Sequence, residues 1–225
     1  MKVELMYMTD EIIAGKAAAV CRASSGVEEE YYLHLIDRVL AQGHDSIAEH
    51  VNYTFRISGI SRVCSHQLVR HRIASFSQQS QRHVIPTGEN TDWYVIPLTV
   101  LDKPRGKEIF NRVIEQVIGN YNALKQMGVP IEDCRFLLPN ATKTEIVMTM
   151  NARSLWNLFD HRICNKAQWE IRKMAIMMLH ILTNCSPKLF GNWKPKCDRC
   201  KEPCGKKLDL ELGNGTIISG KIIED

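Results

Sequence analysis

Gln67, Arg70 and His71 are spaced three and four residues apart, so on a helix all three side chains leave the same face. They open the densest polar constellation of the 225 residues, Gln67-Leu68-Val69-Arg70-His71-Arg72 and then Ile73-Ala74-Ser75-Phe76-Ser77-Gln78-Gln79-Ser80-Gln81-Arg82. The hydroxyls and amides after Arg72 read as a loop whose donors can wrap an anion, with the Arg82 guanidinium at its far side. Between Val51 and Gly88 there is no Asp or Glu; Arg56, Arg62, Arg70, Arg72 and Arg82 occur without a lysine, and His66, His71 and His83 lie among them. Arginine without lysine points to forked, directional bonding to phosphate or carboxylate, weighed against a merely solvated basic face. The composition suits two anionic ligands better than one.

Generic phosphate readers and serine hydrolases are excluded by their missing signatures. There is no GxxxxGK[ST], no GxGxxG, and no GxSxG around Ser75, Ser77 or Ser80. Ser80 lacks a flanking base, because Gln79 and Gln81 cannot take its proton, so it reads as a hydrogen-bond donor rather than a nucleophile. A histidine between two arginines, as at His71, reads as neutral and structural.

Arg70-His71-Arg72, seven residues and then Ser80 resembles the signature of the flavin-dependent thymidylate synthases. Gly43-His44-Asp45-Ser46-Ile47-Ala48-Glu49-His50 is similar to that family's flavin-contacting helix end. Asn151-Ala152-Arg153-Ser154-Leu155, with Asn157, Arg162 and Ala167-Gln168-Trp169-Glu170, is similar to its C-terminal half. The matches stay in order from about Cys21 to about Pro187.

The resemblance implies methylation of dUMP to dTMP, with 5,10-methylenetetrahydrofolate as carbon donor and NADPH as reductant acting through FAD, without a covalent protein nucleophile. It implies a cytoplasmic homotetramer whose sites are shared between subunits, and the thymidylate synthase-complementing fold. Flavin contacts are implied for Ser24, His44, Ser46, Arg70, His71, Arg72, Gln78, Asn151, Arg153 and Asn157. Contacts to dUMP are implied for Gln67, Leu68, Val69, Arg70, Gln78, Gln79, Ser80, Gln81, Arg82, Arg135 and Arg162, with Arg162 as the catalytic residue. Some relatives carry glutamate in place of Gln78, and an amide there rules out a base role. Carbon-5 of uracil is a poor nucleophile until negative charge builds on the ring. A guanidinium facing N3 and O2 favours the ionised ring, the role assigned to Arg162.

The elements that must position these residues are partly visible. An N-terminal strand is followed by a helix opened by the capping-box spacing Ser25 to Glu28, with Leu33, Ile36 and Leu40 on one face and Gly43 as its stop. Val51, Tyr53, Phe55 and Ile57 alternate with polar residues, predicting a half-buried strand. Ser58 or Gly59 then starts a helix with Ile60, Val63, Cys64 and Leu68 facing the core, and Ile73 to Gln81 is a loop. A helix is expected from about Pro104 to Gln126, ending at Gly128, a short element at Cys134 to Leu138 and a strand at Ile146 to Met150. Two helices follow between Ala152 and Thr183, with Trp169, Ile176 and Leu179 buried. With no regular βαβ repeat, the expected class is α+β, a mixed or antiparallel sheet flanked by helices.

Cys197, Cys200 and Cys204 offer three thiolates in the tail, with Cys185 a possible fourth, an incomplete set for zinc. Leu208, Leu210 and Leu212, then Gly213-Asn214-Gly215 and Ile217-Ile218, predict a β-hairpin. The expected organisation is therefore a synthase domain over 1–190 and a cysteine-containing extension over 191–225. Cys21, Cys64, Cys134, Cys164 and Cys185 read as buried thiols of a reducing compartment. With 44% hydrophobic and 24% charged residues, the chain can build a core. No apolar run approaches the roughly 20 residues of a membrane span, and the acidic N-terminus does not resemble a secretory signal. A net charge of +4 is mild for a protein that wraps nucleic acid. The competing reading is a single-stranded nucleic-acid-binding module with a zinc-clipped tail, but only Phe76 interleaves with the basic core motif where stacking would need several aromatics.

Overall fold

The computed structural model describes residues 1–21, 26, 28–84, 92–196 and 200. Strands β1 (Lys2–Met8), β2 (Asn52–Ser61), β3 (Ala74–Gln78) and β4 (Lys143–Asn151) form a small antiparallel sheet in the order β1-β2-β4-β3. With it go helices α1 (Ile12–Val20), α2 (Glu29–Ala41), α3 (Arg62–Leu68), α4 (Leu98–Leu101), α5 (Gly106–Gln126), α6 (Ile131–Cys134), α7 (Ala152–Arg162), α8 (Trp169–Cys185) and α9 (Pro187–Phe190). Single 3-10 turns occupy Asp45–His50 and Arg135–Leu137. This is the α+β class expected from the sequence.

The described chain divides into two compact units. The first comprises Met1–Lys2, Ile57–Val69 and the described residues of Ser77–Ile146; the second comprises Val3–Arg56, Arg70–Phe76 and the described residues from Val147 on. In the first unit Ile57, Ile60, Cys64, Leu68, Ile114, Tyr121, Cys134 and Ile146 are buried, and Tyr94 stacks on Phe110 with ring centroids 6.1 Å apart. The second unit is centred on Phe190, whose ring meets Tyr53, Trp156 and Phe159 edge-on. Leu35, Ile36, Leu155, Met174, Met178 and Leu182 complete that core.

The alternation over Val51 to Ile57 is realised as β2, with Tyr53, Phe55 and Ile57 fully buried. The strand continues to Ser61, which corrects the expected helix start at Ser58 or Gly59. Two serines were available as caps, and Ser61 is the one used, its Oγ accepting the Cys64 N–H at 3.1 Å. Ile60 is thereby buried from the strand, Val63 is exposed, and Gly59 supplies a left-handed φ of +69° inside β2. Ile73 to Gln81 also departs from expectation. Ala74–Gln78 is an edge strand beside β4, and the Gln79 N–H extends the pairing to the Glu145 carbonyl at 2.8 Å. Its polar side chains carry no strand signal, because pairing is made by the backbone.

Helix α1 is absent from the sequence expectation. Its Ala- and Gly-rich run has no amphipathic period to read, and Asp10 Oδ1 starts it by accepting the Ile12 N–H at 2.9 Å. In α2 the buried face is Tyr32, Leu35, Ile36 and Val39, so of the expected Leu33, Ile36 and Leu40 only Ile36 is fully buried. The expected capping serine, Ser25, lies outside the described residues, and Glu28 occupies the N-cap. The stop at Gly43 holds: at φ +80° its N–H bonds the Leu40 carbonyl and the His44 N–H bonds that of Val39, the paired C-terminal cap that glycine favours. Trp169 and Ile176 are only half-buried, whereas Leu179 is fully buried. Cys64 and Cys134 are buried as expected, Cys164 and Cys185 are half-buried, and Cys21 is exposed.

Glu11, just before α1, is buried and its Oε2 accepts the Lys188 and Leu189 N–H groups of α9 at 3.0 and 3.3 Å. Burial pushes its carboxyl up to about 7 from 4.5, outweighing those two N–H groups. The folded state therefore binds an extra proton between those values. This contribution to stability is full below pH 4.5 and disappears as pH rises through 7. Glu11→Gln is expected to remove that slope: by urea denaturation, wild type should lose about 1–3 kcal/mol relative to the variant between pH 5 and pH 8. A pH-independent difference would contradict the assignment.

Candidate active site

The first unit gathers two distant arginines on one helix. Arg82, in the turn after β3, pairs with Glu132 of α6 at 2.6 Å, and Arg135 Nε donates to the Glu132 carbonyl at 3.1 Å. The turn is shaped locally, because Ser80 Oγ accepts the Arg82 N–H at 3.1 Å. Arg62 opens α3 nearby; burial, and then the Arg135 charge, depress its pKa. With Arg82 on the half-exposed Glu132 carboxylate, Arg135 on the Glu132 carbonyl and Arg62 sensing the Arg135 charge, positive charge is concentrated here in a way suited to an anion. Glu132 carried no signal in the sequence, and Arg62 was visible only as one of the arginines between Val51 and Gly88. The acid-free stretch contained Arg62, but only the fold brings it to Arg135.

Gln78 is held by a relay. Its Nε2 donates to Ser65 Oγ at 2.8 Å and Thr144 Oγ1 at 3.2 Å, while Ser65 gives its hydroxyl proton to the Arg62 carbonyl at 3.1 Å. Since Ser65 has spent its proton, it can only accept, which fixes the amide nitrogen inward and makes the Gln78 carbonyl the group for a ligand N–H. Gln67 is half-buried, Val69 exposed, and Leu68 so fully buried that it can offer a ligand only its backbone. Gln79 lines a polar cavity of about 410 Å³ with Lys2, Ser58, Lys143 and Glu145, while Gln81 is half-buried.

In the second unit the Arg70-His71-Arg72 turn meets the last residue of α7. Arg162 Nε donates to His71 Nε2 at 2.8 Å, and the His161 ring lies edge-on to His71 at 6.3 Å. Burial, then Arg162 and His161, push His71 down to about 4, so the ring is neutral near pH 7 with its proton on Nδ1. That agrees with the neutral ring expected from the sequence. Arg70 and Arg72 are exposed. Asn151 is the N-cap of α7, its Oδ1 accepting the Ser154 N–H at 2.9 Å. Arg153 pairs with Glu49, Asn157 is exposed beside it one turn on, and the Asn157 carbonyl accepts from His161 Nδ1 at 2.7 Å. His44 and Ser46 are exposed at the start of the 3-10 turn that carries Glu49.

The flavin candidates His44, Ser46, Arg70, His71, Arg72, Asn151, Arg153 and Asn157 thus belong to the second unit, with Arg162. The dUMP candidates Gln67 to Val69, Gln78 to Arg82 and Arg135 belong to the first, Gln78 being a flavin candidate as well, whereas the dUMP candidates Arg70 and Arg162 lie in the second. Ser24 lies outside the described residues, as do Cys197, Cys204 and the predicted hairpin. Cys200 is exposed, and burial raises the Cys185 thiol pKa, which disfavours the thiolate a metal needs. Among the described residues no group of three or more His, Cys, Asp or Glu is placed to hold a metal ion. No helix among them is long and apolar enough to cross a membrane.

The family model described as thymidylate synthase complementing protein matches residues 4–188. The chain belongs to the flavin-dependent thymidylate synthases. It is 40% identical to the flavin-dependent thymidylate synthase of Geobacter sulfurreducens, over 94% of this chain and 97% of that one. It is 42% identical to that of Sulfurisphaera tokodaii, over 100% and 91%. Among solved structures it is similar to the flavin-dependent thymidylate synthase of Helicobacter pylori complexed with FAD and dUMP. There the TM-score is 0.70 and the identity 27%, covering 86% of this chain and 99% of that one. The thymidylate synthase-complementing fold is therefore this chain's fold, and none of these relatives supports a nucleic-acid-binding module.

Proposed function

We propose that this flavin-dependent thymidylate synthase methylates dUMP to dTMP with 5,10-methylenetetrahydrofolate as carbon donor and NADPH as reductant. The activity and the flavin follow from the family. The observation that carries the assignment of residues is the convergence, from distant sequence, of Arg82 on Arg135 through Glu132 and of Arg162 on His71. Arg82, Arg135 and Arg62 would hold the nucleotide phosphate by forked hydrogen bonds, and Ser80 would add a hydroxyl. The Gln78 carbonyl would accept an N–H from uracil or an O–H from the sugar. Arg162 would stabilise negative charge on the uracil ring, raising the nucleophilicity of carbon-5.

FAD fits the second unit, where Arg70 and Arg72 are exposed cations for a pyrophosphate and Asn157, His44 and Ser46 are exposed polar groups. When bound, it would carry reducing equivalents from NADPH to the nucleotide. A protein nucleophile is unnecessary: His71 Nε2 is engaged by Arg162, and Ser80 Oγ serves the Arg82 turn.

A homotetramer with shared sites accounts for apolar side chains left open in the first unit, where Phe136 is 84% and Met127 78% exposed, with Ile109 and Val113 also exposed. The reading extends to a cytoplasmic enzyme, a synthase domain over 1–190, and an extension over 191–225 in which Cys197, Cys200 and Cys204 bind zinc. Stoichiometric zinc by elemental analysis of untagged protein supports the metal, and a bare trace removes it.

The test of function is optical and chemical. The purified protein should be yellow, bleach under NADPH, and recover its colour on adding dUMP with methylenetetrahydrofolate as dTMP forms. A colourless protein that takes up no FAD would defeat the reading. Ser80→Ala should raise the KM for dUMP about tenfold, one lost hydrogen bond, while turnover at saturating dUMP survives. Abolished single-turnover chemistry would instead make Ser80 a nucleophile.

A further inference from the structure

We propose that His71 is a positioning residue for Arg162: its neutral imidazole accepts the Nε–H and so sets the plane in which the guanidinium meets the uracil ring. The inference rests on the functional reading above and gives one motif histidine a task beyond cofactor contact. An arginine side chain has several rotatable bonds and loses about 2 kcal/mol of rotamer freedom when fixed, so a fork that must arrive in one plane gains from an anchor. The anchor must grip Nε, because the two Nη groups form the end of the fork. His71 does so at 2.8 Å.

The surroundings favour an acceptor there. Arg162 ends α7, where the helix dipole favours a cation, and the Arg172 Nε–H meets the adjoining Ile163 carbonyl at 3.0 Å. The edge-on His161 ring has its own Nδ1 tied to the Asn157 carbonyl, so it stabilises the ring orientation without competing for Nε2. A protonated His71 would have no lone pair at Nε2 and would set cation against cation; its pKa near 4 keeps it neutral. Two residues on, Ile73 takes φ +66°, a costly conformation for a β-branched residue, which redirects the chain from the His71 turn into β3.

Two substitutions separate positioning from packing. His71→Leu keeps bulk without an acceptor, and His71→Gln keeps an acceptor oxygen. At saturating FAD and dUMP, and with turnover expressed per bound flavin, His71→Leu should lose roughly tenfold to a hundredfold in kcat, as expected for a misaligned catalytic group. His71→Gln should recover most of that, and on an Arg162→Ala background His71→Leu should cost nothing further. Equal losses in both variants, a loss explained by missing flavin, or full additivity with Arg162→Ala would overturn the proposal.

Nitrogen-15 NMR of the imidazole tests the contact without turnover, so a wild-type protein that makes no dTMP would sink the functional reading while leaving the contact decidable. The expected spectrum is a neutral ring protonated at Nδ1 through pH 6, with an Nε2 resonance that moves in Arg162→Ala. An imidazole that titrates at the ordinary value, indifferent to Arg162, would refute it.

Discussion

Arg162→Lys should lower turnover at saturating dUMP by about a hundredfold or more, although the positive charge is kept. Lysine brings a point charge where arginine brings a planar fork, and it has no Nε–H for His71 to receive. The variant therefore loses both the matched donors and their alignment. The loss should fall on kcat, because the charge that Arg162 meets develops only as the ring ionises. Removing one such donor costs about 10²–10³ in rate in comparable sites. Single-turnover reoxidation of reduced flavin with dUMP and methylenetetrahydrofolate reads the step directly. A lysine variant within a few-fold of wild type would show that charge alone suffices, and the role given to the fork would have to be abandoned.

Gly15→Ala should destabilise the protein by about 2 kcal/mol, against the usual rule that alanine improves a helix. Alanine gains about 1 kcal/mol in propensity. A Cβ at Gly15 would stand 2.3 Å from the Tyr32 carbonyl oxygen and 2.9 Å from Tyr32 Cβ, so α1 would have to move off α2. The obstacle is backbone of a packed helix, which cannot swing aside as a flexible side chain would, and overpacking of this kind costs typically 1–3 kcal/mol or more. Thermal melts should fall by about 4–8 °C for a chain of this size. An unchanged melt would mean that α1 docks loosely on α2.

Where local chemistry dictates structure, the sequence is sufficient. The alternation through Tyr53, Phe55 and Ile57 makes β2, since a strand with one buried face needs that period. Gly43 ends α2 because a left-handed residue is needed there. The motif from Arg70 to Ser80 was legible as the family's signature, because its residue types and spacing are specific where charge alone leaves a solvated basic face open. Helix α1 was hidden because its apolar residues continue past the buried face to Ile13, Ala17 and the exposed Val20, leaving no period, and β3 because an edge strand made of Ser and Gln pairs by backbone that no side chain announces.

The sequence by itself determined the α+β class and the family, because those depend on residue type and short-range order. Tertiary structure alone decided which groups face one another. It put Arg82 on the Glu132 carboxylate and Arg135 on the Glu132 carbonyl, locked the Gln78 amide through Ser65, and set Arg162 on His71. Such pairings join residues separated by up to 91 positions. Arg162 shows the difference most plainly. Its neighbours in sequence say nothing of its use, whereas the ring that receives its Nε–H lies on another element, brought there by burial of the cores rather than by any local rule.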